Sequence, residues 1–163
     1  MIDGVKVKNL VIRQDMPDKG EKGDAPSGEK RGILLEVLRK DEGLLSKFDQ
    51  TVFTISYKNT IKAFHWHRKQ DDLWFVASGK AKIVLYDQRK DSPTHGETQV
   101  LYAGTDDYKL ILIPVGVAHG YKVIGDEPVL LFYHVTETYV DWEPDEKRIP
   151  FDDPTINFNW DED

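Results

Sequence analysis

Residues 64–79 read FHWHRKQDDLWFVASG. His65 and His67 stand one residue apart, and in a β-strand such residues share a face. Asp72 follows closely, and His119 lies downstream in PVGVAHG (114–120). Two chemistries use these residue types. Imidazole nitrogens together with a carboxylate are a donor set for a divalent transition ion. Imidazole also titrates near neutrality, so a histidine can accept and return a proton at pH 7. The chain has no cysteine, which removes thiolate ligands, thiol nucleophiles and disulfides from consideration.

Strands are the elements that must carry these residues. Val5–Ile12 (VKVKNLVI) begins in strict apolar–polar alternation, the signature of a strand. Further short runs follow: 33–39, 51–57, 61–67, 73–78, 80–87, 97–103, 109–114, 120–125 and 129–140. Turn residues such as KN, SGK, KDSPTHG, PVG and GDEP separate them. Many short strands with regular punctuation indicate a sandwich or barrel. KLILIP (109–114) is apolar on both faces and belongs deep in the structure. Short helices are expected only at 41–48 and 143–148. Residues 14–31, rich in glycine, proline and charge and without periodicity, read as a flexible surface loop suited to act as a lid.

The length of 163 residues suits one domain with a real core. A net charge of −7 argues against nucleic acid or an anionic membrane as partner, while a small anionic ligand remains feasible where cations converge. No apolar run is long enough to span a membrane and the N-terminus has no signal-peptide pattern, so a cytoplasmic protein is expected.

The two histidine stretches resemble the motifs of the cupin superfamily, with Asp72 where glutamate is usual. Along nearly the whole chain the motif order resembles the dTDP-4-dehydrorhamnose 3,5-epimerase family. The segments that carry this likeness are RGILLE (31–36), FDQTVFTIS (48–56), IKAFHWH (61–67), VLYDQRKDSPTHG (84–96), IPVGVAHG (113–120), YHVTETY (133–139) and FDDPTINFNW (151–160). The resemblance implies an all-β fold, a cupin-type double-stranded β-helix (jelly-roll) barrel with one or two short helices. A single domain spans 1–163, with residues 141–163 packing near the barrel mouth. It implies an isomerase that inverts carbons beside a 4-keto group on a dTDP- or other nucleotide-linked deoxysugar, without cofactor or metal, as a homodimer.

By position, His65 matches the family's base, Asp153 the carboxylate that steadies it, and Tyr133 the acid on the far side. Arg31 and Gln50 match pyrophosphate-holding positions, and Glu36 one near the nucleobase. Lys62 stands where the family has arginine. His67, His119 and Tyr139 complete the expected substrate-binding set with Asp72, which replaces a family lysine by a residue of opposite charge. Asp87 and Arg89 read as a structural ion pair at a strand end. Two alternatives stay open at this level: a metal-dependent cupin enzyme using His65, His67, Asp72 and His119, and a non-catalytic carbohydrate-binding barrel.

Overall fold

The computed structural model describes residues 1–15 and 32–162. Its strands are β1 (Lys6–Asn9), β2 (Arg13–Asp15), β3 (Gly32–Leu34), β4 (Gln50–Ser56), β5 (Ile61–Trp66), β6 (Asp72–Ser78), β7 (Lys80–Asp87), β8 (Thr98–Gly104), β9 (Lys109–Ile113), β10 (Val117–Ile124), β11 (Val129–Val135) and β12 (Lys147–Arg148). They form two five-stranded sheets, β1-β9-β6-β11-β4 and β12-β5-β10-β7-β8, with β2 and β3 as a separate pair. Every pairing is antiparallel. This is the expected all-β jelly-roll architecture.

The core lies between the sheets. Trp74, Val76, Ile111, Ile113 and Leu131 of one sheet pack against Ile83, Leu85, Val117, Tyr121 and Val123 of the other. Strand alternation sends other side chains outward, and on the inner strands of each sheet several of these are covered too. Leu73, Phe75, Leu110 and Leu112 meet Leu10 and the segment carrying Leu35, Val37, Leu38, Leu44 and Leu45. KLILIP is thus buried on both faces, as its composition requires. On the other sheet, Phe64, Val84, Tyr86 and Ala118 are capped by Ile156 and Trp160 of the C-terminal segment. Removing a fully buried aromatic such as Phe64 costs about 3–5 kcal/mol in transfer and cavity terms.

Several expected elements differ. In place of a helix at 41–48 there is one 3-10 turn, Lys40–Glu42, ended by Gly43 in the left-handed region at φ 59°. No helix forms at 143–148. Lys147 and Arg148 pair instead with Trp66 and His65, because a sheet ladder offers more than one isolated turn of helix. The run 33–39 is strand only to Leu34, and its later apolar residues dock on the first sheet. β11 stops at Val135, so Tyr139 does not share a strand face with Tyr133. Of the expected loop 14–31, Gln14 and Asp15 belong to β2 and residues 16–31 lie outside the described residues.

One irregularity positions the site. β10 pairs with β5 through His119↔His65 and Tyr121↔Lys62, so two β5 residues, Ala63 and Phe64, oppose the single residue Gly120. This is a bulge. A Cβ on Gly120 would lie 2.3 Å from Ala63 Cβ, so only glycine permits the approach. The extra residue resets alternation. Lys62 and His65, which strict alternation would send to opposite faces, both face the space between the sheets.

Candidate active site

A cavity of about 1060 Å³ opens between the sheets, near the upper end of small-molecule sites at roughly 300–1,000 Å³. β5 contributes Lys62 and His65, with His67 just beyond it. β10 contributes His119 and Tyr121, β6 Asp72 and Trp74, and β11 Tyr133. The segment 137–148 closes the rim with Tyr139, Asp145, Glu146 and Arg148.

His65 meets a carboxylate, but not the expected one. Its Nδ1 lies 3.1 Å from Glu146 Oε1, off the axis of a well-directed hydrogen bond. Glu146 is held in turn by Arg148 Nε at 2.9 Å. Burial opposes ionisation of Glu146. The neighbouring His65 ring and the Arg148 hydrogen bond outweigh burial and hold the carboxyl below its ordinary range. Asp153 is occupied elsewhere: its Oδ1 accepts the backbone N–H groups of Thr155 at 2.9 Å and Ile156 at 3.4 Å. An Asx turn in the C-terminal segment uses this carboxylate, which does not line the cavity. The expected pairing of Asp153 with His65 is therefore corrected to Glu146.

Tyr133 projects into the cavity from the sheet opposite to that of His65. Burial, reinforced by the charges of Asp72 and Glu146, pushes its phenol up to about 12, so it keeps its proton at neutral pH. Deeper in, Tyr121 Oη lies 2.7 Å from Ser56 Oγ, and Lys62 Nζ donates to Thr54 Oγ1 at 2.9 Å.

His67, Asp72 and His119 form a buried group whose ligand atoms lie within 4.8 Å of one another. Asp72 Oδ2 is 3.6 Å from His119 Nε2, and Asp72 Oδ1 is 3.7 Å from His67 Nε2. Gln70 Nε2 donates to Asp72 Oδ1 at 2.7 Å and Trp74 Nε1 to Oδ2 at 3.1 Å. His119 Nδ1 lies 2.9 Å from the Val117 carbonyl, an acceptor, so Nδ1 carries the proton. Burial pushes the His119 imidazole down to about 4, which keeps it neutral at neutral pH. Asp145 locks the turn between His67 and Asp72 by accepting the backbone N–H groups of Arg68, Lys69 and Gln70 at 3.1, 2.9 and 3.2 Å.

The remaining expected residues divide. Gln50 and Tyr139 line the cavity and are tied together, Tyr139 N–H donating to Gln50 Oε1 at 2.8 Å. Glu36 sits on an exposed surface between Arg13 at 2.9 Å and Arg39 at 3.2 Å, away from the cavity lining. Arg31 lies outside the described residues. Sequence reasoning missed Glu146, Gln70, Tyr121 and Asp145. The signal for Glu146 was the acidic pair Asp145–Glu146 immediately before the short strand, obscured by reading that stretch as helix.

A family model described as dTDP-4-dehydrorhamnose 3,5-epimerase matches residues 22–163. The chain is 51% identical over 160 residues to the spore coat polysaccharide biosynthesis protein SpsL of Bacillus subtilis (strain 168), covering 98% of this chain and 97% of that protein. It is 35% identical to the probable low-salt glycan biosynthesis epimerase Agl13 of Haloferax volcanii, covering 82% and 87%. A dTDP sugar isomerase from Desulfovibrio desulfuricans G20 superposes with a TM-score of 0.80 at 29% identity, covering 98% of this chain and 92% of that one. A dTDP-6-deoxy-D-glucose-3,5-epimerase from Legionella pneumophila, solved with dTDP-4-keto-L-rhamnose, gives 0.79 at 26% identity, covering 98% and 80%. Barrel, cavity and matches together define an isomerase of the cupin type that acts on sugar nucleotides. The chain belongs to the dTDP-4-dehydrorhamnose 3,5-epimerase family.

Proposed function

We propose that the protein inverts a carbon beside the 4-keto group of a dTDP-linked deoxysugar, with His65 as base, Glu146 as its positioning carboxylate and Tyr133 as acid. The observation that carries this reading is the placement of His65 and Tyr133 on opposing walls of one cavity. Inversion removes a proton from one face of the sugar and returns one to the other.

Nδ1 of His65 faces Glu146, which leaves Nε2 for the substrate. The C–H bond alpha to the ketone breaks, its proton passes to Nε2, and its electron pair moves through the new C=C bond onto the carbonyl oxygen. Glu146 stabilises the imidazolium that forms. Tyr133 then delivers its proton to the opposite face of the carbon. The phenolate recovers a proton and His65 loses one to solvent, returning both groups to their starting states. A phenol suits this task because a carboxylic acid would already be ionised at neutral pH. Lys62, Lys69 and Arg148 at the cavity wall offset locally the −7 charge that would repel a sugar nucleotide. Arg31 and Gln50 hold the pyrophosphate, as the resemblance implies.

The working unit is a homodimer. Phe53 and Ile55 on the edge strand β4 are about half exposed, with the Phe53 and Phe132 rings 4.6 Å apart, and a second copy of the chain would cover them. β1 pairs with β9 on one side only, which leaves a free edge for cross-subunit pairing. Among the described residues no helix is long and apolar enough to cross a membrane. The cytoplasm, where sugar nucleotides are made, is the expected compartment, and the product would feed surface-polysaccharide synthesis.

The test is incubation with a dTDP-linked 4-keto-6-deoxyhexose in heavy water, followed by mass spectrometry and proton NMR. Deuterium entering at C3, C5 or both, with an inverted product, supports the reading. Binding without exchange at any ring carbon would refute it.

A further inference from the structure

The geometry points to Tyr121 as a further catalytic residue, the hydrogen-bond donor to the substrate's ketone oxygen as it becomes an enolate, with Thr54 and Lys62 as its positioning residues. This assignment rests on the epimerisation proposed above.

Drawing a proton off the carbon beside the ketone moves an electron pair onto the ketone oxygen, and that charge needs a donor already in place. The wall around Asp72 does not supply one. The Asp72 carboxylate and the bare Nε2 of His119 are acceptors 3.6 Å apart. The Gln70 amide is occupied there, with Asp72 Oδ1 at 2.7 Å and His67 Nε2 at 3.4 Å. Arg148 is paired with Glu146, and Lys69 is exposed.

Donors gather one inward-facing position further along β10. The Trp74 ring lies edge-on to both His119, at 5.2 Å, and Tyr121, at 5.7 Å. Lys62, the strand partner of Tyr121, carries only donors. Thr54 Oγ1 therefore accepts from Lys62 Nζ at 2.9 Å and keeps its own proton for a neighbour. That neighbour is the Tyr121 phenol. Burial pushes this phenol up, and the hydroxyls of Ser56 and Thr54 both oppose the push. Ser56 Oγ lies 2.7 Å from Tyr121 Oη, and either atom can donate. An anion forming in the cavity selects one direction. Ser56 and Thr54 then donate to Tyr121 Oη, and Tyr121 turns its own O–H to the anion. The Lys62 ammonium polarises this chain and strengthens its last donor.

The location suits a ketone. The ketone carbon is bonded to the carbon that His65 deprotonates, so the donor to its oxygen belongs beside the base rather than across from it. His119 pairs with His65, and Tyr121 follows on the same strand, lining the same cavity. Successive inward-facing residues of a strand stand roughly 7 Å apart, which leaves room for the short C–C–O unit and a hydrogen bond at its end. Tyr133 reaches in from the other sheet, which fits it for the opposite face, and it is near enough for charge on Tyr121 to raise it. The bond from Tyr121 strengthens as charge grows on the oxygen, so its contribution falls on kcat rather than on KM.

The test compares the wild type with Tyr121→Phe, which keeps the ring against Trp74. The expected result is a loss of roughly 10²–10³-fold in kcat and in heavy-water exchange, with KM within about twofold. Thr54→Val cuts the link to Lys62 and should lower kcat roughly tenfold, and Thr54→Ser should restore it. A second measurement needs no turnover. In His65→Gln loaded with a dTDP-linked 4-keto-6-deoxyhexose labelled with ¹³C at C4, isotope-edited infrared should show the ketone stretch below its solution wavenumber. In His65→Gln/Tyr121→Phe the band should move back toward the solution value. A Tyr121→Phe effect confined to KM, an unchanged kcat, or a ketone band indifferent to position 121 would overturn the assignment. Wild-type exchange in that case leaves the epimerase reading standing. A band shift that depends on Tyr121, with no wild-type exchange at any ring carbon, keeps Tyr121 as the donor to the ketone and removes that reading.

Discussion

Asp87 closes β7 and Asp72 opens β6, and both side chains are buried, at 0% and 3% exposure. Asp87 is saturated by its own loop. Arg89 Nε and Nη2 donate at 2.8 Å each, Ser92 Oγ at 2.5 Å and Thr94 Oγ1 at 2.6 Å. Burial alone would raise the Asp87 carboxyl, but these hydrogen bonds outweigh it and hold the group well below the usual carboxylate range. Asp72 receives one donor on each oxygen and then meets two imidazole nitrogens at 3.6 and 3.7 Å without forming a hydrogen bond to either. A buried anion whose lone pairs are all satisfied fastens a loop, as expected for the Asp87–Arg89 pair. A buried anion with capacity left over, at the wall of a cavity, is available to a ligand.

Substitutions should separate the two regions by what they damage. The largest loss of stability is expected for Asp87→Ala, which strands Arg89 and the hydroxyls of Ser92 and Thr94. About 3 kcal/mol should disappear from urea unfolding at pH 7, with substrate exchange retained by the folded fraction. The sign of its pH dependence follows from a depressed folded pKa. The contribution of Asp87 is complete above the unfolded value of about 3.9 and is lost as pH falls below it. The stability gap between wild type and Asp87→Ala should therefore narrow between pH 5 and the acid limit of folding, as read by urea midpoints.

Tyr133→Phe comes next. It removes the acid while leaving the ring packed, and should lower turnover by roughly 10²-fold with little change in melting temperature. Because the phenol sits at about 12, wild-type activity should show no alkaline decline from this group until well above neutrality, as a pH–rate profile would show. Glu146→Gln keeps the shape of the His65 partner and removes its charge. A roughly tenfold loss in kcat is expected, because the imidazolium formed in the reaction loses its neighbouring anion, as steady-state kinetics would show. The smallest effect is expected for Asp153→Ala, about 1 kcal/mol of stability from lost turn bonds and no change in exchange, measured by thermal unfolding and the same isotope assay. Exchange that fell with Asp153→Ala and survived Glu146→Gln would reverse the correction made to the site.

Much of the barrel was legible because strand alternation and turn residues are local signals. His65 and His67 share the cavity face and Phe64 the outer one, as the two-residue period requires. What alternation could not supply was the bulge opposite Gly120, which brings Lys62 to the same face as His65. It depends on a cross-strand approach, and the one local trace of it is a glycine after His119. The carboxylate of His65 was misassigned for a related reason. Asp153 and Glu146 are both acidic residues in the C-terminal segment, and only the pairing of Lys147–Arg148 with β5 decides which one reaches the ring. The fate of 41–48 likewise turned on Gly43 and on docking to the first sheet rather than on helix propensity.

The role of His65 is tested most directly by deuterium wash-in from heavy water into a dTDP-linked 4-keto-6-deoxyhexose, run side by side for the wild type and His65→Gln at equal folded concentration. The account predicts exchange at a ring carbon next to the ketone for the wild type. It predicts a loss of roughly 10²–10⁴-fold for the variant, the range of general-base catalysis. Equal rates in the two proteins would contradict it.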